Sequence, residues 1–277
     1  MIITADLDDT LIFSARRLAA AGLSPAGAVP VEYKDGEPVA YMTAPALAAL
    51  RALQRRAVFV INTLRGEEQA RRVVFIRDGG CRYLCCQNGL YIYRDGAPDA
   101  GWGKAVAQAA AALPLRLEVA AAWVRALPGV LLLSRRYEYM AVFFVEPAEF
   151  SAALYLELRR DLARLGWRLQ RQRRKLYLLP LAIDKGLALL HICGQEGSGG
   201  QGAVGIGDSY FDWPFLALCR RRLSLAGSSL AATGTKDGEF APDETKPSGI
   251  EFSRRPLLAG TEELLLRLCH EMDLEDL

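Results

Sequence analysis

The chain has 277 residues and 51% of them are hydrophobic, so it can hold two domains, or one large domain, with a substantial core. Its 34 lysines and arginines nearly balance 32 aspartates and glutamates, and the net charge of +2 argues against nucleic acid or a membrane surface as a partner. Because no apolar run reaches membrane-spanning length and no secretory signal opens the chain, we expect a cytoplasmic protein.

The first 42 residues predict a strand followed by an unusual insertion. Residues 2–7 are apolar and are followed by polar turn residues, which indicates a buried strand, and a short helix is expected at 12–21. Asp35-Gly36 lies between strand-prone residues and predicts a hairpin over 31–41, inside an inserted stretch at 22–42. Such a hairpin would be either a flap over a strand-end site or a surface decoration, and both interpretations remain open.

The next 50 residues continue an alternation of helices and strands. Thr43 is a candidate N-cap for a helix over 44–55, and the apolar run 58–61 is a second buried strand that ends at Asn62-Thr63. A further helix is expected at 67–72, and a strand pair at 82–86 and 90–93.

From about residue 94 the pattern changes to helices with an antiparallel meander, which indicates an α+β unit. Its helices are expected at 104–113, 117–127 and 147–165, and its strands at 130–133, 137–145, 167–172 and 175–179. The first pattern then resumes, with helices at 185–192, 214–219 and 260–272 and strands at 203–206 and 222–225. The sequence therefore predicts an α/β core split into residues 1–93 and 182–277 around an inserted α+β domain at 94–181.

The six cysteines do not form a metal-binding pattern. Cys81, Cys85 and Cys86 are close in sequence, but no second Cys/His pair follows at zinc spacing. Cys85 and Cys86 lie in an apolar strand-like run, where small buried thiols are common. We interpret them as core residues.

The motif Asp6-x-Asp8-x-Thr10 places two carboxylates at the end of the first strand. Like charges this close repel each other, and a chain tolerates them where a metal or a reaction uses the charge. Residues i and i+2 of a strand face the same way, so both carboxylates can address one ligand. The alternative is a solvated turn, in which Asp and Thr are common.

Three later signals also fall where core strands end or core helices begin, the edge at which open α/β sheets bind ligands. Thr63 could donate to a phosphate oxygen, although a turn or capping Thr is more common. Lys185 opens a helix and could neutralise an anion, although most lysines are solvated. Asp208 and Asp212 follow the strand 203–206 and suit a hard cation such as Mg²⁺, although Asp is also a common helix cap.

Taken together and in this order, the four motifs resemble those of the haloacid dehalogenase-like hydrolase superfamily. The helix-and-meander insert resembles its type IIB cap, as in the Cof-type and sucrose-phosphatase-like phosphatases. Two further segments match, namely Gln87-Asn88-Gly89 before the insert and the strand that leads through Pro180 into Lys185. The resemblance covers nearly the whole chain except the insertion at 22–42, and it implies a Rossmann-like parallel-sheet core with an inserted α+β cap domain.

The resemblance also implies a function and a role for each motif. The chain would be a Mg²⁺-dependent phosphatase that hydrolyses a small phosphate ester, a sugar phosphate among the candidates. Asp6 would attack phosphorus, and Asp8 would serve as general acid and base. Thr63 and Lys185 would bind the phosphate, and the metal would be held by Asp6, the backbone carbonyl of Asp8, and Asp208.

The sequence departs from the family pattern at one point and leaves alternatives open. Relatives often carry Asn where Phe211 stands, so Asp212 and Ser209 are candidates for supporting the metal site. Arg65, two residues after Thr63, is a candidate for the rim of the site. A phosphotransferase or phosphomutase on the same scaffold and a non-catalytic phosphometabolite-binding module are the alternative functions, although the presence of both Asp6 and Asp8 counts against the latter.

Overall fold

The computed structural model describes residues 1–198, 202–231 and 247–273, with the backbone alone for residues 132–135. These residues form two compact units. The core unit contains Met1–Asp99 and the described residues from Lys185 onward, and the inserted unit is Ala100–Asp184. The sequence had placed these divisions at 93/94 and 181/182.

The core unit is built on an eight-stranded sheet with the strand order β15-β14-β13-β1-β5-β6-β7-β8. Its strands are β1 Ile2–Ala5, β5 Val58–Asn62, β6 Tyr83–Cys86, β7 Tyr91–Arg94, β8 Ala97–Pro98, β13 Ala203–Ile206, β14 Arg221–Ser224 and β15 Ile250–Phe252. Strand β1 pairs in parallel with both β5 and β13, so that Ala5 lies level with Ile61 and Ile206. The carboxyl ends of these three strands therefore meet at one edge of the sheet.

The strands at the centre of this sheet are apolar because both of their faces are buried. Ile3, Phe59 and Val60 are almost completely inaccessible to solvent, as parallel strands covered on both faces require. The helices of this unit are α1 Ala15–Ala19, α2 Ala44–Arg56, α3 Glu67–Ala70, α4 Val74–Arg77, α8 Lys185–Gln195, α9 Trp213–Leu216 and α10 Leu257–Glu271. Helix α2 packs against α10, and α8 packs against α9.

The core unit also has a three-stranded sheet with the order β2-β4-β3, of which β3 and β4 lie in the insertion at 22–42. Its strands are β2 Phe13–Ser14, β3 Val29–Lys34 and β4 Glu37–Met42. The turn between β3 and β4 is Asp35-Gly36, and both residues have positive φ, as this type of hairpin turn requires. The start of the expected helix at 12–21 is wrong, because Phe13 and Ser14 pair with Tyr41 and Ala40 and the helix begins only at Ala15.

The inserted unit packs three helices with a four-stranded antiparallel sheet. The helices are α5 Ala100–Ala111, α6 Leu117–Arg125 and α7 Ala152–Arg164, and the strands are β9 Val130–Arg136, β10 Ala141–Val145, β11 Trp167–Gln172 and β12 Lys175–Pro180, in the order β11-β12-β10-β9. Apolar residues of α6, α7 and the sheet, such as Val124, Tyr155 and Phe143, form its core. Helix α7 begins later than expected because Ser151, rather than Pro147, precedes it and caps it.

The predicted fold class, an α/β core with a parallel sheet interrupted by an α+β insert, is confirmed. Two short edge strands, β8 and β15, were not expected from the sequence. Each is two or three residues long and is defined by its partner in the sheet, so neither leaves a periodic pattern that sequence could show. Among the described helices, none combines the length and the apolar character needed to cross a membrane.

The cap of α2 gives a test of the core unit. Thr43 Oγ1 accepts a hydrogen bond from the Ala46 N–H at 3.2 Å. Thr43→Ala should lower the free energy of unfolding by about 1 kcal/mol, measured by urea denaturation, because it leaves a helix N–H without its partner. Thr43→Ser keeps the hydroxyl and is the matched control. Equal stability of Thr43→Ala and Thr43→Ser would contradict the capping role.

Candidate active site

Three loops meet at the carboxyl edge of β1, β5 and β13. The first begins at Asp6, whose N–H donates to Ile206 O at 2.9 Å and continues the pairing of β1 with β13. The second begins at Thr63 after β5, and the third at Gly207 after β13. The parallel register therefore brings together loops that are far apart in sequence, as expected from the strand-end positions of their polar residues.

Lys185 is the centre of this edge. It is the first residue of α8, its side chain is 1% exposed, and Nζ lies 2.6 Å from Asp6 Oδ1 and 2.7 Å from Asp212 Oδ1. Burial alone would disfavour the ammonium, but Asp212 and Asp6 outweigh it, so the pKa of Lys185 lies above its ordinary value. The two buried carboxylates thus favour the charged form of the lysine between them.

One ammonium cannot neutralise two carboxylates. Burial raises the pKa of Asp6 despite the opposing effect of Lys185, and the nearby Asp212 carboxylate adds to the rise. The Asp6 side chain keeps 10% of its surface accessible, whereas that of Asp212 has none. Asp6 is therefore the member of the pair that can meet a ligand.

Asp212 organises the loop after β13. Its Oδ2 accepts hydrogen bonds from the backbone N–H of Asp208, the backbone N–H of Ser209 and the Ser209 hydroxyl, each at 3.0 Å. A Cβ on Gly207 would lie only 2.5 Å from the Cβ of Asp212, so this close approach requires glycine. One of its oxygens binds Lys185 and the other binds the loop, so Asp212 holds Lys185 and Asp208 in place.

The arrangement suits a divalent cation. One carboxylate oxygen each from Asp6, Asp208 and Asp212 lies within 4.8 Å of the others. Three carboxylates and the single Lys185 ammonium leave a formal charge of −2 in this small space, which a dication would balance. All the candidate ligand atoms are oxygens, the donor set that Mg²⁺ prefers. Thr10 donates to Asp208 Oδ1 at 3.2 Å and fixes that carboxylate on one side.

The Asp8 carboxylate lies outside this acidic group. Arg65 binds it with two hydrogen bonds, from Nε to Oδ2 and from Nη2 to Oδ1, both 2.7 Å long. The Asp8 side chain is 54% exposed, in contrast to the buried Asp6. The expected strand alternation does not extend to Asp8, because β1 ends at Ala5 and the chain turns at residues 9–11, where Leu7 O accepts the N–H groups of both Leu11 and Ile12.

Thr63 is buried at the start of the second loop. Its Oγ1 accepts the Arg65 N–H at 3.1 Å, so the hydroxyl proton has to point to another acceptor. Its carbonyl accepts the Asn88 N–H at 3.1 Å, and the Arg65 carbonyl accepts the Gln87 N–H at 2.9 Å. The Gln87-Asn88 turn noted in the sequence thus supports the loop that carries Thr63 and Arg65.

Two residues near the site were not selected from the sequence. Asn62 is buried at the end of β5, and its Nδ2 donates to Lys185 O at 3.0 Å. This bond ties the end of β5 to the start of α8. A polar residue closing an apolar strand is a signal that could have identified it. Glu32 is buried and binds Arg65, and it lies in the hairpin that the sequence interprets as either a flap over the site or a surface decoration.

Solved structures match this fold along nearly its whole length. The sucrose-phosphatase of Synechocystis sp. PCC6803, in complex with sucrose and phosphate, is 14% identical over 99% of this chain and 98% of its own, with a TM-score of 0.66. A trehalose-6-phosphate phosphatase related protein is 14% identical over all of both chains, with a TM-score of 0.52. A haloacid dehalogenase-like hydrolase from Bacteroides thetaiotaomicron is 14% identical over 96% of this chain and 98% of its own, with a TM-score of 0.51.

No family model and no curated protein matches the chain by sequence. At 14% identity the structural similarity establishes the fold, and the haloacid dehalogenase-like fold predicted from the sequence is confirmed.

The contacts of Lys185 with Asp6 and Asp212 can be tested by measuring stability rather than activity. Lys185→Met should lower the free energy of unfolding by about 3 kcal/mol or more, because it leaves two buried carboxylates without their counter-charge. Adding Asp6→Asn to Lys185→Met should restore part of that loss, measured by chemical denaturation.

Lys104→Met is the matched control, since Lys104 is exposed on α5, and it should change stability by less than about 0.5 kcal/mol. Additive losses from Lys185→Met and Asp6→Asn would show that the two charges do not stabilise each other.

Proposed function

We propose that this chain is a Mg²⁺-dependent phosphatase that hydrolyses a small phosphorylated metabolite through a phosphoaspartate at Asp6. The observation that carries the proposal is the buried Lys185 between Asp6 and Asp212, at the carboxyl edge of a parallel sheet. The fold supports it, since two of the structures that share it over nearly the whole chain are named a sucrose-phosphatase and a trehalose-6-phosphate phosphatase related protein.

In the first half of the reaction, an Asp6 carboxylate oxygen attacks phosphorus and the bond from phosphorus to the ester oxygen breaks. The leaving oxygen takes a proton from Asp8, whose exposed side chain can face a substrate. In the second half, water attacks the phosphoaspartate and gives its proton to Asp8. The bond from phosphorus to Asp6 then breaks, so that inorganic phosphate leaves, Asp6 is again a carboxylate and Asp8 again carries its proton.

The remaining residues hold the phosphate and the charge. The Thr63 hydroxyl and the Lys185 ammonium are the donors for the phosphate oxygens. Asp6 and Asp208 would hold Mg²⁺, together with the backbone carbonyl of Asp8, while Asp212 and Ser209 fix the loop that carries Asp208. When bound, the cation would offset the repulsion between the anionic nucleophile and the anionic phosphate.

The names of the neighbouring structures favour a sugar phosphate as the substrate class. The Synechocystis protein is described in complex with sucrose and phosphate, and a trehalose-6-phosphate phosphatase domain from C. albicans shares the fold with a TM-score of 0.53. A sugar phosphate is also an alkyl monoester, whose poor leaving group needs the proton that Asp8 would supply.

Release of inorganic phosphate from a panel of monoesters tests the proposal directly. The panel should include 4-nitrophenyl phosphate, glycerol 3-phosphate, glucose 6-phosphate and trehalose 6-phosphate. Asp6→Asn should lower kcat by at least about a thousandfold because the nucleophile is lost. Asp78→Asn changes an exposed aspartate in the same way and should retain wild-type turnover.

Three outcomes would count against the proposal. Wild-type turnover by Asp6→Asn would exclude Asp6 as the nucleophile. Transfer of phosphate to an added sugar without its release as free phosphate would support a phosphotransferase. Saturable binding of the esters without turnover would support a binding module.

Metal binding can be measured without activity. Mg²⁺ should raise the melting temperature of the wild-type protein, since a ligand that binds only the folded state stabilises it by about 2.7 kcal/mol at 100 times its Kd. Asp208→Asn should abolish most of this shift, while Asp78→Asn should retain it. A shift that survives Asp208→Asn unchanged would place the metal at another site.

A further inference from the structure

The hairpin formed by β3 and β4 carries a buried glutamate that faces inward. Glu32 is 2% exposed, and its carboxylate binds two arginines of the core unit. Glu32 Oε2 accepts from Arg65 Nη2 at 2.9 Å, and Oε1 lies 3.0 Å from Arg72 Nη2. Since burying a charge is costly unless it is paired, these contacts are what allow a glutamate at this position.

An irregularity in the hairpin turns Glu32 inward. The pairing of β3 with β4 shifts register on both sides of this residue, between Pro30 and Glu32 and between Glu32 and Tyr33. As a result, Val31 and Glu32 are both buried although they are adjacent, while Tyr33 is exposed. Glu32 also forms a β-bridge with Val73, which holds the hairpin against the segment that carries Arg72. Such local bulges re-aim a single side chain.

The guanidinium of Arg65 connects Glu32 to Asp8. Nη2 donates to both Glu32 Oε2 and Asp8 Oδ1, Nε donates to Asp8 Oδ2, and Nη1 donates to Gln69 O at 3.2 Å. All three nitrogens are therefore engaged, and the plane of the guanidinium is fixed. Burial opposes the charge of Arg65, but its bonds to Asp8 and Glu32 outweigh that effect and raise its pKa above the ordinary value.

Because Arg65 contacts both Glu32 and Asp8, Glu32 can affect the position of Asp8, which a residue of a surface decoration could not do. A bidentate hydrogen-bonded contact between a guanidinium and a carboxylate fixes the orientation of the carboxylate only if the guanidinium is itself fixed. Arg65 has an exposed carboxylate on one side, Asp8, and a buried one on the other, Glu32. Buried Glu32 fixes the position of the Arg65 guanidinium, and the guanidinium in turn orients the exposed carboxylate of Asp8.

We propose that Glu32 is a positioning residue that acts through Arg65 to orient Asp8 for proton transfer. This inference rests on the proposed function, in which Asp8 is the acid and base of a phosphoryl transfer. It assigns the insertion at 22–42 to the catalytic apparatus, because the hairpin supplies the residue that orients the proton donor. Neither Glu32 nor Arg65 needs to touch the substrate.

Substrates with different leaving groups can distinguish a positioning role of Glu32 from a merely structural one. An alkyl phosphate loses a poor leaving group that needs a proton, whereas 4-nitrophenolate leaves without one. A defect in the orientation of Asp8 should therefore slow the alkyl ester much more than the aryl ester. A general loss of folded protein or of phosphate binding would slow both esters equally.

The test compares kcat for 4-nitrophenyl phosphate with kcat for the most active alkyl phosphate of the panel. Glu32→Gln keeps the shape of the side chain but loses its charge, and Arg65→Lys keeps the charge but loses the bidentate contact with Asp8. Each should lower kcat for the alkyl ester by about 10- to 100-fold and for the aryl ester by less than about threefold, since general acid catalysis contributes 10²- to 10⁴-fold. The KM values should change little.

Glu37→Gln is the matched control, because Glu37 is an exposed glutamate on the same hairpin, and it should leave both rates unchanged. Arg72→Gln removes the partner of Glu32 that does not touch Asp8, and it should change the ratio of the two rates less than Arg65→Lys does. If Glu32→Gln fails to fold, Arg65→Lys gives the same measurement.

Equal loss on both esters, or no loss on the alkyl ester, would overturn the positioning role while leaving the phosphatase proposal intact. A wild-type protein that hydrolyses neither ester would overturn the proposed function and this inference with it.

Discussion

The site depends on one buried ammonium shared by two carboxylates. Lys185 lies 2.6 Å from Asp6 and 2.7 Å from Asp212, which belong to loops after β1 and β13, while Lys185 itself opens α8. Removing either type of charge from water is costly, and the cost is recovered only if the geometry is close and the remaining oxygens are bonded. The ion pair thus forces three separate segments into one arrangement, with one carboxylate oxygen each of Asp6, Asp208 and Asp212 close together.

The same contacts that build the site also build the core. Asp212 binds Lys185 with one oxygen and three donors of its own loop with the other, and it leaves room only for glycine at position 207. Thr10 O accepts a hydrogen bond from Thr261 of α10 at 2.6 Å, so the loop of Asp6 and Asp8 is tied to the last helix. The site is held by groups that are themselves buried and bonded, which is how a preorganised site keeps its shape without a ligand.

Much of the site could be predicted from the sequence, because its residues lie near the carboxyl ends of predicted parallel strands. Asp6, Thr63 and Asp208 come within two residues of the ends of apolar runs, and parallel register brings such positions to one edge. The environment of Asp8 could not be predicted, since it depends on the tight turn at residues 9–11 and on an arginine 57 residues later. Glu32 was missed because its orientation depends on a local register shift that strand alternation does not reveal.

The two aspartates of the first motif illustrate how surroundings divide the chemistry. Asp6, the nucleophile of the proposed reaction, is buried beside Lys185, where its position is fixed and water is largely excluded. Asp8 is exposed and held by a guanidinium, so it can exchange protons with a substrate or with water while its orientation is kept. Identical side chains two residues apart thus have different surroundings, and in the proposed reaction these surroundings suit them to different roles. In that reaction the hairpin with Glu32 belongs to the site together with the sheet edge.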